Sequence, residues 1–159
     1  MPLRTIHIHD TAGEAMSDPR VERLIDEAAL RRTAELYAQG ADRRDKTVWA
    51  AIMTEDCVIE APGIELKGRA QIVGALDIMA QLYASTQHRV HNQVVTINGD
   101  SANGETYAVA DHLTVADGRT TILTWAIRYQ DRWRREAGQW RFAHRALILD
   151  WTDTRVLAP

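Results

Sequence analysis

From residue 86 to residue 151 the sequence follows a period of two residues, as β-branched and aromatic residues recur at every second position through most of it, and this long pattern restricts the fold more than any other feature. Turn residues interrupt it three times, at Asn98-Gly99-Asp100, Asp117-Gly118 and Arg135-Glu136-Ala137-Gly138. Short turns of this composition between alternating runs are typical of β-hairpins. The pattern therefore predicts an antiparallel meander of four long strands, over Thr86–Ile97, Asn103–Val115, Thr120–Trp133 and Gln139–Trp151.

The residues before the meander follow the 3.6-residue period of helices. Asp18 can cap a helix that begins at Pro19, and its apolar stripe recurs at spacings of three and four through Leu30, Ala34, Tyr37, Ala38 and Ala41. Further elements are predicted in the order helix Lys46–Met53, strands Cys57–Ala61 and Ile64–Lys67, and a helix opened by Gly68. Helices followed by a meander indicate an α+β domain, with the helices packed on one face of a curved sheet. We expect one domain over residues 18–152, an N-terminal arm over 1–17 and a C-terminal tail over 153–159.

Composition narrows the class of protein further. The 159 residues carry a formal net charge of -3 and no basic cluster that is free of neighbouring acids, which argues against nucleic-acid binding. No apolar run is long enough for a membrane span, and the N-terminus lacks a signal-peptide core. The only cysteine, Cys57, excludes an internal disulfide and suits a reducing compartment, so a cytoplasmic location is expected.

The last strand suggests self-association. Read as an uninterrupted strand, Gln139–Trp151 carries Trp140, Phe142, Ala146 and Ile148 on one face and Ala143, Leu147 and Leu149 on the other. The strands of a sheet with one solvent-exposed face should instead alternate between apolar and polar residues. Because the helices cover only one face, we expect a homo-oligomer packed through the other.

Several polar residues occupy positions where apolar ones are normal. His88 lies on the more apolar face of its strand, Asp111 shares a face with Val109 and Leu113, and Arg145 lies among apolar neighbours. Each has a structural explanation: a hydrogen-bonded core histidine, and an ion pair for the two charged residues. Tyr37 lies on the first helix and Asp42 at its end, some 140° apart at about 100° per residue. They can converge only if that helix ends or distorts near Gly40.

These residues form an ordered set. Leu36-Tyr37-Ala38 followed by Asp42, Thr86-Gln87-His88 opening the long strand, and Trp140-Arg141-Phe142-Ala143-His144-Arg145 together resemble the SnoaL-like family of the nuclear-transport-factor-like superfamily, which includes scytalone dehydratase and the bile-acid 7α-dehydratases. The resemblance covers roughly residues 19–151. It implies a cone formed by a curved antiparallel sheet wrapped on N-terminal helices, with a deep internal pocket. It also favours a trimer, with a dimer possible.

The resemblance implies site residues position by position. Tyr37, Asp42, His88, Asp111 and Arg145 match catalytic positions of the bile-acid dehydratases, and His112 is an alternative to Asp111 as the residue that lines the pocket. The implied reaction is loss of water from a carbonyl-containing, apolar polycyclic or aromatic substrate, with His88 as base, Asp42 orienting it and Tyr37 donating to the enolate oxygen. Neither a metal nor another cofactor is required.

Large apolar residues are available to form the walls of the implied pocket. Apolar walls are expected from Trp49, Met53, Met79, Leu82, Trp125 and Trp151, although each of them taken singly is better explained as plain core. Three other functions stay open. They are isomerisation or polyketide-type cyclisation by the same residues, ligand binding without turnover, and a scaffold role like that of ring-hydroxylating dioxygenase small subunits.

Overall fold

The computed structural model describes residues 18–157, so the N-terminal arm predicted over residues 1–17 lies outside the described part. Within residues 18–157, three helices and six strands follow one another. In order they are α1 Pro19–Arg43, α2 Lys46–Ile52, β1 Met53–Ala61, β2 Ile64–Lys67, α3 Arg69–Leu82, β3 Ser85–Asn98, β4 Ser101–Ala116, β5 Arg119–Glu136 and β6 Gln139–Val156. None of the three helices is long and apolar enough to cross a membrane.

The six strands form one sheet in the order β2-β1-β6-β5-β4-β3. Three hairpins join β3 to β6, and each turn contains a glycine with positive φ: Gly99, Gly118 and Gly138. Neighbouring strands are antiparallel except β1 and β6, which run parallel. The sheet is curved and unclosed, and the helices pack on its inner face. The predicted α+β fold, a curved sheet wrapped on N-terminal helices, is confirmed.

Helix α1 begins as predicted but does not end near Gly40. The Asp18 carboxylate accepts a hydrogen bond from the backbone N–H of Arg20 at 2.9 Å, which caps the N-terminus. The helix continues to Arg43 and stops where Arg44 adopts a left-handed conformation with φ 56°. Gly40 is buried inside the helix, where its missing side chain makes room for the indole of Trp49. The glycine therefore serves packing rather than helix termination.

Three bulges correct the predicted strand faces, because each extra residue moves all later side chains to the opposite face. In β3 the register shifts between Val90 and Gln93, and Val94 becomes 70% exposed. In β6 the extra residues are Ala143 and Asp150. The first brings Arg145 to the same face as Phe142, together with Leu147 and Leu149. The second turns Trp151 outward, so this predicted wall lies on the surface.

The C-terminal boundary also differs from the prediction. Strand β6 extends to Val156, and residues 153–156, expected in a tail, pair with residues 121–124 of β5. The main core lies between the helices and the inner face of the sheet, and β6 contributes Trp140 and Phe142 to it. The bulge at Ala143 therefore brings Leu147 and Leu149 to the face of Trp140 and Phe142, while Ala146 and Ile148 lie on the opposite face.

Candidate active site

The centre of the candidate site is a contact between His88 of β3 and Asp42 of α1. The ring nitrogen Nδ1 of His88 lies 2.6 Å from Oδ1 of Asp42, and the backbone N–H of His88 donates to Oδ2 at 2.9 Å. A carboxylate can only accept, so Nδ1 carries the proton. In the neutral ring Nε2 is then the free base. Asp42 thus selects one tautomer of His88 and fixes the ring orientation through two hydrogen bonds.

The carboxylate of Asp42 has a supporting shell that sequence reasoning missed. The hydroxyl of Thr86 donates to Oδ1 of Asp42 at 3.0 Å, and Arg44 donates to the same hydroxyl oxygen at 2.8 Å. Burial opposes ionisation of this carboxyl. The hydrogen bonds from the ring and backbone of His88 outweigh it and hold the pKa of Asp42 below its usual value. Asp42 is therefore an ionised acceptor at neutral pH.

A closed cavity adjoins this pair on the inner side of the sheet. Its walls come from α1, β3, β4, β5 and β6, namely Ala34, Tyr37, Ala38, His88, Val90, Thr106, Ala108, Tyr129 and Arg145. The volume of about 10 Å³ suits a single water molecule rather than a substrate. The deep pocket implied by the resemblance is thus a small closed space. Tyr37, His88 and Arg145, all predicted site residues, meet there.

Tyr37 lines the same cavity as His88, and Asp42 hydrogen-bonds His88, from adjacent stripes of α1, so no helix break is needed. Tyr37 belongs to the core stripe and lines the cavity, whereas Asp42 lies one stripe further round and holds His88 from the side. Burial raises the pKa of Tyr37, so its hydroxyl keeps its proton and remains a donor. The ring stacks on Trp49, with centroids 4.8 Å apart. Trp49 therefore supports Tyr37 rather than lining the cavity.

Arg145 is paired with Asp131, a residue that sequence reasoning did not propose. Nε and Nη2 of Arg145 donate to the two oxygens of Asp131 at 2.7 and 2.8 Å, and both residues are at most 2% exposed. The guanidinium lies 3.9 to 4.3 Å from the ring centroids of Tyr37, Tyr129 and Phe142. Attraction to Asp131 outweighs burial and raises the pKa of Arg145. The odd positions of β5 carry bulky residues, among them Tyr129 and Trp133. An acidic residue between these two, at position 131, was the sequence signal from which a buried ion pair could have been predicted.

Neither Asp111 nor His112 lines the cavity, and the alternation of β4 puts the two side chains on opposite faces of the sheet. His112 faces inward, and its ring lies 5.9 Å from that of His88. Asp111 faces outward, where it accepts hydrogen bonds from Thr124 at 2.6 Å and Arg89 at 2.9 Å. The predicted catalytic position of Asp111 is therefore not at the cavity. Asp111 belongs to a structural ion pair on the other face of the sheet.

The inward-facing His112 is neutral. Nδ1 lies 3.3 Å from the carbonyl oxygen of Leu123, so Nδ1 carries the proton and Nε2 is the free acceptor. Burial, reinforced by the nearby His88, lowers the pKa of His112 to about 4. The ring packs against Tyr83 and Trp125, with centroid distances of 4.7 and 4.5 Å. Trp125, a predicted wall, thus contacts the site through His112.

The other predicted walls lie away from the cavity. Met53 is fully buried in the core, and Met79 of α3 packs against that core from its edge. Leu82, at the end of α3, is 59% exposed. Between residues 18 and 157 no group of three or more histidine, cysteine, aspartate or glutamate side chains could hold a metal ion.

Outside the cavity, an open groove of about 380 Å³ runs between α1 and β3. The helix contributes the polar side chains Arg31, Glu35, Gln39, Asp42 and Arg43 together with Ala38, and the strand contributes His88 and Val90. The side chain of His88 therefore borders two separate spaces. One is the small apolar cavity on its inner side, and the other is a larger polar groove that opens to solvent.

A curved, unclosed sheet wrapped around N-terminal helices places the protein in the cystatin-like, nuclear-transport-factor-like class of α+β folds. Within that class, the chain belongs to the SnoaL-like domain family, whose profile matches residues 22–146. No curated protein matches it.

Solved structures agree with this assignment. A Mycobacterium tuberculosis protein of unknown function, Rv3472 with the substitution D26N, shares 28% identity at a TM-score of 0.75, covering 84% of this chain and 76% of that one. A Novosphingobium aromaticivorans protein provisionally named scytalone dehydratase shares 24% identity at 0.76, covering 84% and 90%. A hexachlorocyclohexane dehydrochlorinase, LinA type 2, shares 21% at 0.76, covering 87% and 93%. At such identities the last two likenesses establish the fold alone.

Proposed function

We propose that the protein is a cofactor-independent lyase that removes water from a carbonyl-containing substrate by acid–base chemistry at His88. One observation carries the proposal: Nδ1 of His88 is bound to Asp42 at 2.6 Å while the same ring lines a cavity with Tyr37 and Arg145. A structural histidine needs only one hydrogen-bond partner. Here the partner is an ionised carboxylate, which stabilises the imidazolium that forms when the ring accepts a proton.

The reaction uses a hydroxyl group β to a carbonyl. Nε2 of His88 removes the proton from the carbon next to the carbonyl, and the hydroxyl of Tyr37 donates to the developing enolate oxygen. The electron pair then forms the carbon–carbon double bond as the carbon–oxygen bond breaks. The leaving hydroxide takes the proton back from His88 and departs as water. The ring is neutral again, so the cycle needs no redox partner.

The surroundings support a substrate whose reacting end is uncharged and apolar. Arg145 is neutralised by Asp131 and enclosed by three aromatic rings, so it offers little to an anionic group. Ala34, Ala38, Val90 and Ala108 provide most of the remaining cavity wall. Such a wall suits a flat aromatic or polycyclic carbonyl compound. Because the closed cavity holds only one water, the walls must separate before this substrate can bind.

The proposal is tested with a panel of aromatic β-hydroxy ketones in deuterated buffer. Elimination is followed by the ultraviolet absorbance of the conjugated product, and exchange of the α-proton by NMR. We expect His88→Gln to lower both rates by roughly 10²- to 10⁴-fold, the usual contribution of general acid–base catalysis. His91→Gln is the matched control, because His91 is an exposed histidine on the same strand.

The two readouts separate the possible results. Elimination and exchange that survive His88→Gln would assign the base to another group. Exchange without elimination in the wild-type protein points to the second candidate, isomerisation of a related carbonyl compound. That candidate uses the same base, His88, and the same enolate donor, Tyr37, without loss of water. If no member of the panel undergoes either elimination or exchange, the result favours a binding or scaffold role.

A further inference from the structure

The cavity and the groove are separated by a thin wall. Ala38 of α1, together with His88 and Val90 of β3, lines the inner cavity of about 10 Å³ and also the outer groove of about 380 Å³. Among the described residues, no other element lines both spaces. Separating α1 from β3 here would therefore join them into one space that opens to solvent beside His88.

The helix presents a distinct stripe to this wall. Arg31, Glu35, Ala38 and Asp42 recur at spacings of four, three and four, one residue after the core stripe of Leu30, Ala34, Tyr37 and Ala41. Asp42, at the C-terminal end of the outer stripe, holds His88 through two hydrogen bonds. Arg31 lies about three turns earlier. The stripe thus contacts β3 through polar side chains on either side of Ala38.

Arg31 contacts β3 at the bulge, where its hydrogen bonding to β4 is interrupted. Its Nη2 donates to the carbonyl oxygen of Val90 at 3.2 Å, and its Nη1 donates to the carbonyl oxygen of His91. These carbonyls lie at the bulge, where the β3–β4 ladder is interrupted between Val90 and Gln93. Because β3 is also an edge strand of the sheet that residues 18–157 form, no described strand pairs with its other side. Arg31 therefore fastens the bulge, and with it Val90, to α1.

We propose that substrate reaches His88 between α1 and β3, and that Arg31 is the gate residue that keeps this entrance closed. When its guanidinium releases the carbonyls of Val90 and His91, the bulge moves away from Ala38. The groove and the cavity then merge. The side chain of Arg31 is 35% exposed and also pairs with Glu35 at 3.1 Å, so water and this carboxylate satisfy the released guanidinium. That the entering molecule is a substrate rests on the proposed function, whereas the gate itself does not.

The gate is tested by thiol labelling, without any substrate. Ala108→Cys introduces a thiol into the cavity wall, while the native Cys57 serves as an internal reference. Cys57 is fully buried on β1, and burial raises the pKa of its thiol to about 12. Labelling with a small aromatic disulfide is followed at each site by mass spectrometry. Arg31→Met removes the two hydrogen bonds to β3 while keeping an unbranched apolar side chain.

The matched control is Arg32→Met. Arg32 is the next residue of α1 and pairs with the same Glu35, but none of its hydrogen bonds among the described residues reaches β3. We expect Arg31→Met to speed labelling of the introduced thiol roughly 30-fold, the factor for losing two side-chain hydrogen bonds of about 1 kcal/mol each. Arg32→Met leaves the rate unchanged, and neither substitution accelerates Cys57.

Three results would overturn the gate: no acceleration by Arg31→Met, an equal effect of Arg32→Met, or equal acceleration of both thiols, which indicates global unfolding. If Ala108→Cys does not fold, hydrogen exchange of the otherwise unchanged protein gives the same decision. Arg31→Met must then speed amide exchange in residues 88–93 and leave residues 140–149 of β6 unaffected. Since neither measurement involves turnover, the gate and the proposed lyase activity can fail separately.

Discussion

His112 is a histidine that folding holds in its neutral form. It is 4% exposed, its Nδ1 donates to the carbonyl of Leu123, and its ring is enclosed by Tyr83, Trp125 and His88. Burial lowers its pKa from 6.5 to about 4 in the folded chain. In the unfolded chain the ring is hydrated and returns to its ordinary pKa. Protonation of this ring therefore favours unfolding.

The free energy of unfolding depends on pH because the pKa of His112 is lower in the folded chain than in the unfolded chain. Between about pH 6.5 and pH 4 the unfolded state binds a proton at residue 112 that the folded state does not, so the free energy of unfolding falls as the pH falls. The full stabilisation is present above pH 6.5, and on the order of 3 kcal/mol is lost by pH 4. We expect His112→Phe to flatten this slope. Urea titrations at several pH values measure it, and an unchanged slope in the variant would contradict the assignment.

At the scale of the element, α1 depends on a glycine within the helix itself. A Cβ at Gly40 would lie 2.5 Å from Cδ1 and 2.9 Å from Nε1 of Trp49. The same indole donates to the backbone carbonyl of Tyr37 at 2.9 Å and stacks on its ring. The indole therefore has little room to move aside. Gly40 allows α2 to pack close enough to hold Tyr37 in position.

The expected effect of Gly40→Ala runs against helix propensity. Alanine in place of glycine stabilises a helix interior by roughly 1 kcal/mol, but crowding in a filled core costs about 1–3 kcal/mol. We expect net destabilisation of up to about 2 kcal/mol, measured by urea unfolding. The matched control is Gly74→Ala in α3, where the new Cβ meets nothing within 4 Å and the chain should become more stable. Stabilisation by both substitutions would mean that Trp49 relaxes without loss.

Element order and most strand boundaries could be predicted, because period and turn residues are local signals. The faces of the strands could not, because each bulge depends on tertiary packing and reverses all later positions. The bulge at Ala143 illustrates this difference, since it brings Arg145 to the face of Phe142 and opposite Asp131. His88 and Asp42 were paired by resemblance, not by spacing. Their contact joins a helix to a strand 46 residues later, and no local pattern encodes that distance.

For the whole molecule, the buried pair Arg145–Asp131 connects the sheet to the helices. The two residues are directly opposed on β6 and β5, and the guanidinium contacts the Tyr37 ring of α1. Thr106 of β4 donates to Asp131 at 3.1 Å and in turn accepts from Gln93 of β3 at 3.0 Å. Four strands and one helix thus meet in one polar network. The cavity beside His88 owes its shape to this network rather than to any single element.

The outer face of the sheet is where self-association can still be tested. The bulge at Asp150 places Trp151 on this face, 58% exposed, and with Tyr107, 40% exposed, it lines a shallow groove of about 360 Å³. Val109 and Ala126 contribute apolar wall between them. Exposed aromatic residues over an apolar floor are typical of interfaces. We propose that a homo-oligomer, with a trimer favoured by the family resemblance, buries Trp151 at this groove.

Light scattering during size-exclusion chromatography decides the matter. A trimer elutes with three times the chain mass of 17.9 kDa. Trp151→Glu introduces a charge that cannot be buried without a partner, so we expect this variant to elute as a monomer with its fold intact by circular dichroism. Ile64→Glu is the control, because Ile64 is 57% exposed on the edge strand β2, at the other end of the sheet from β3. A trimer that tolerates Trp151→Glu but dissociates with Ile64→Glu would move the interface to that edge, whereas a monomeric wild-type protein would remove it.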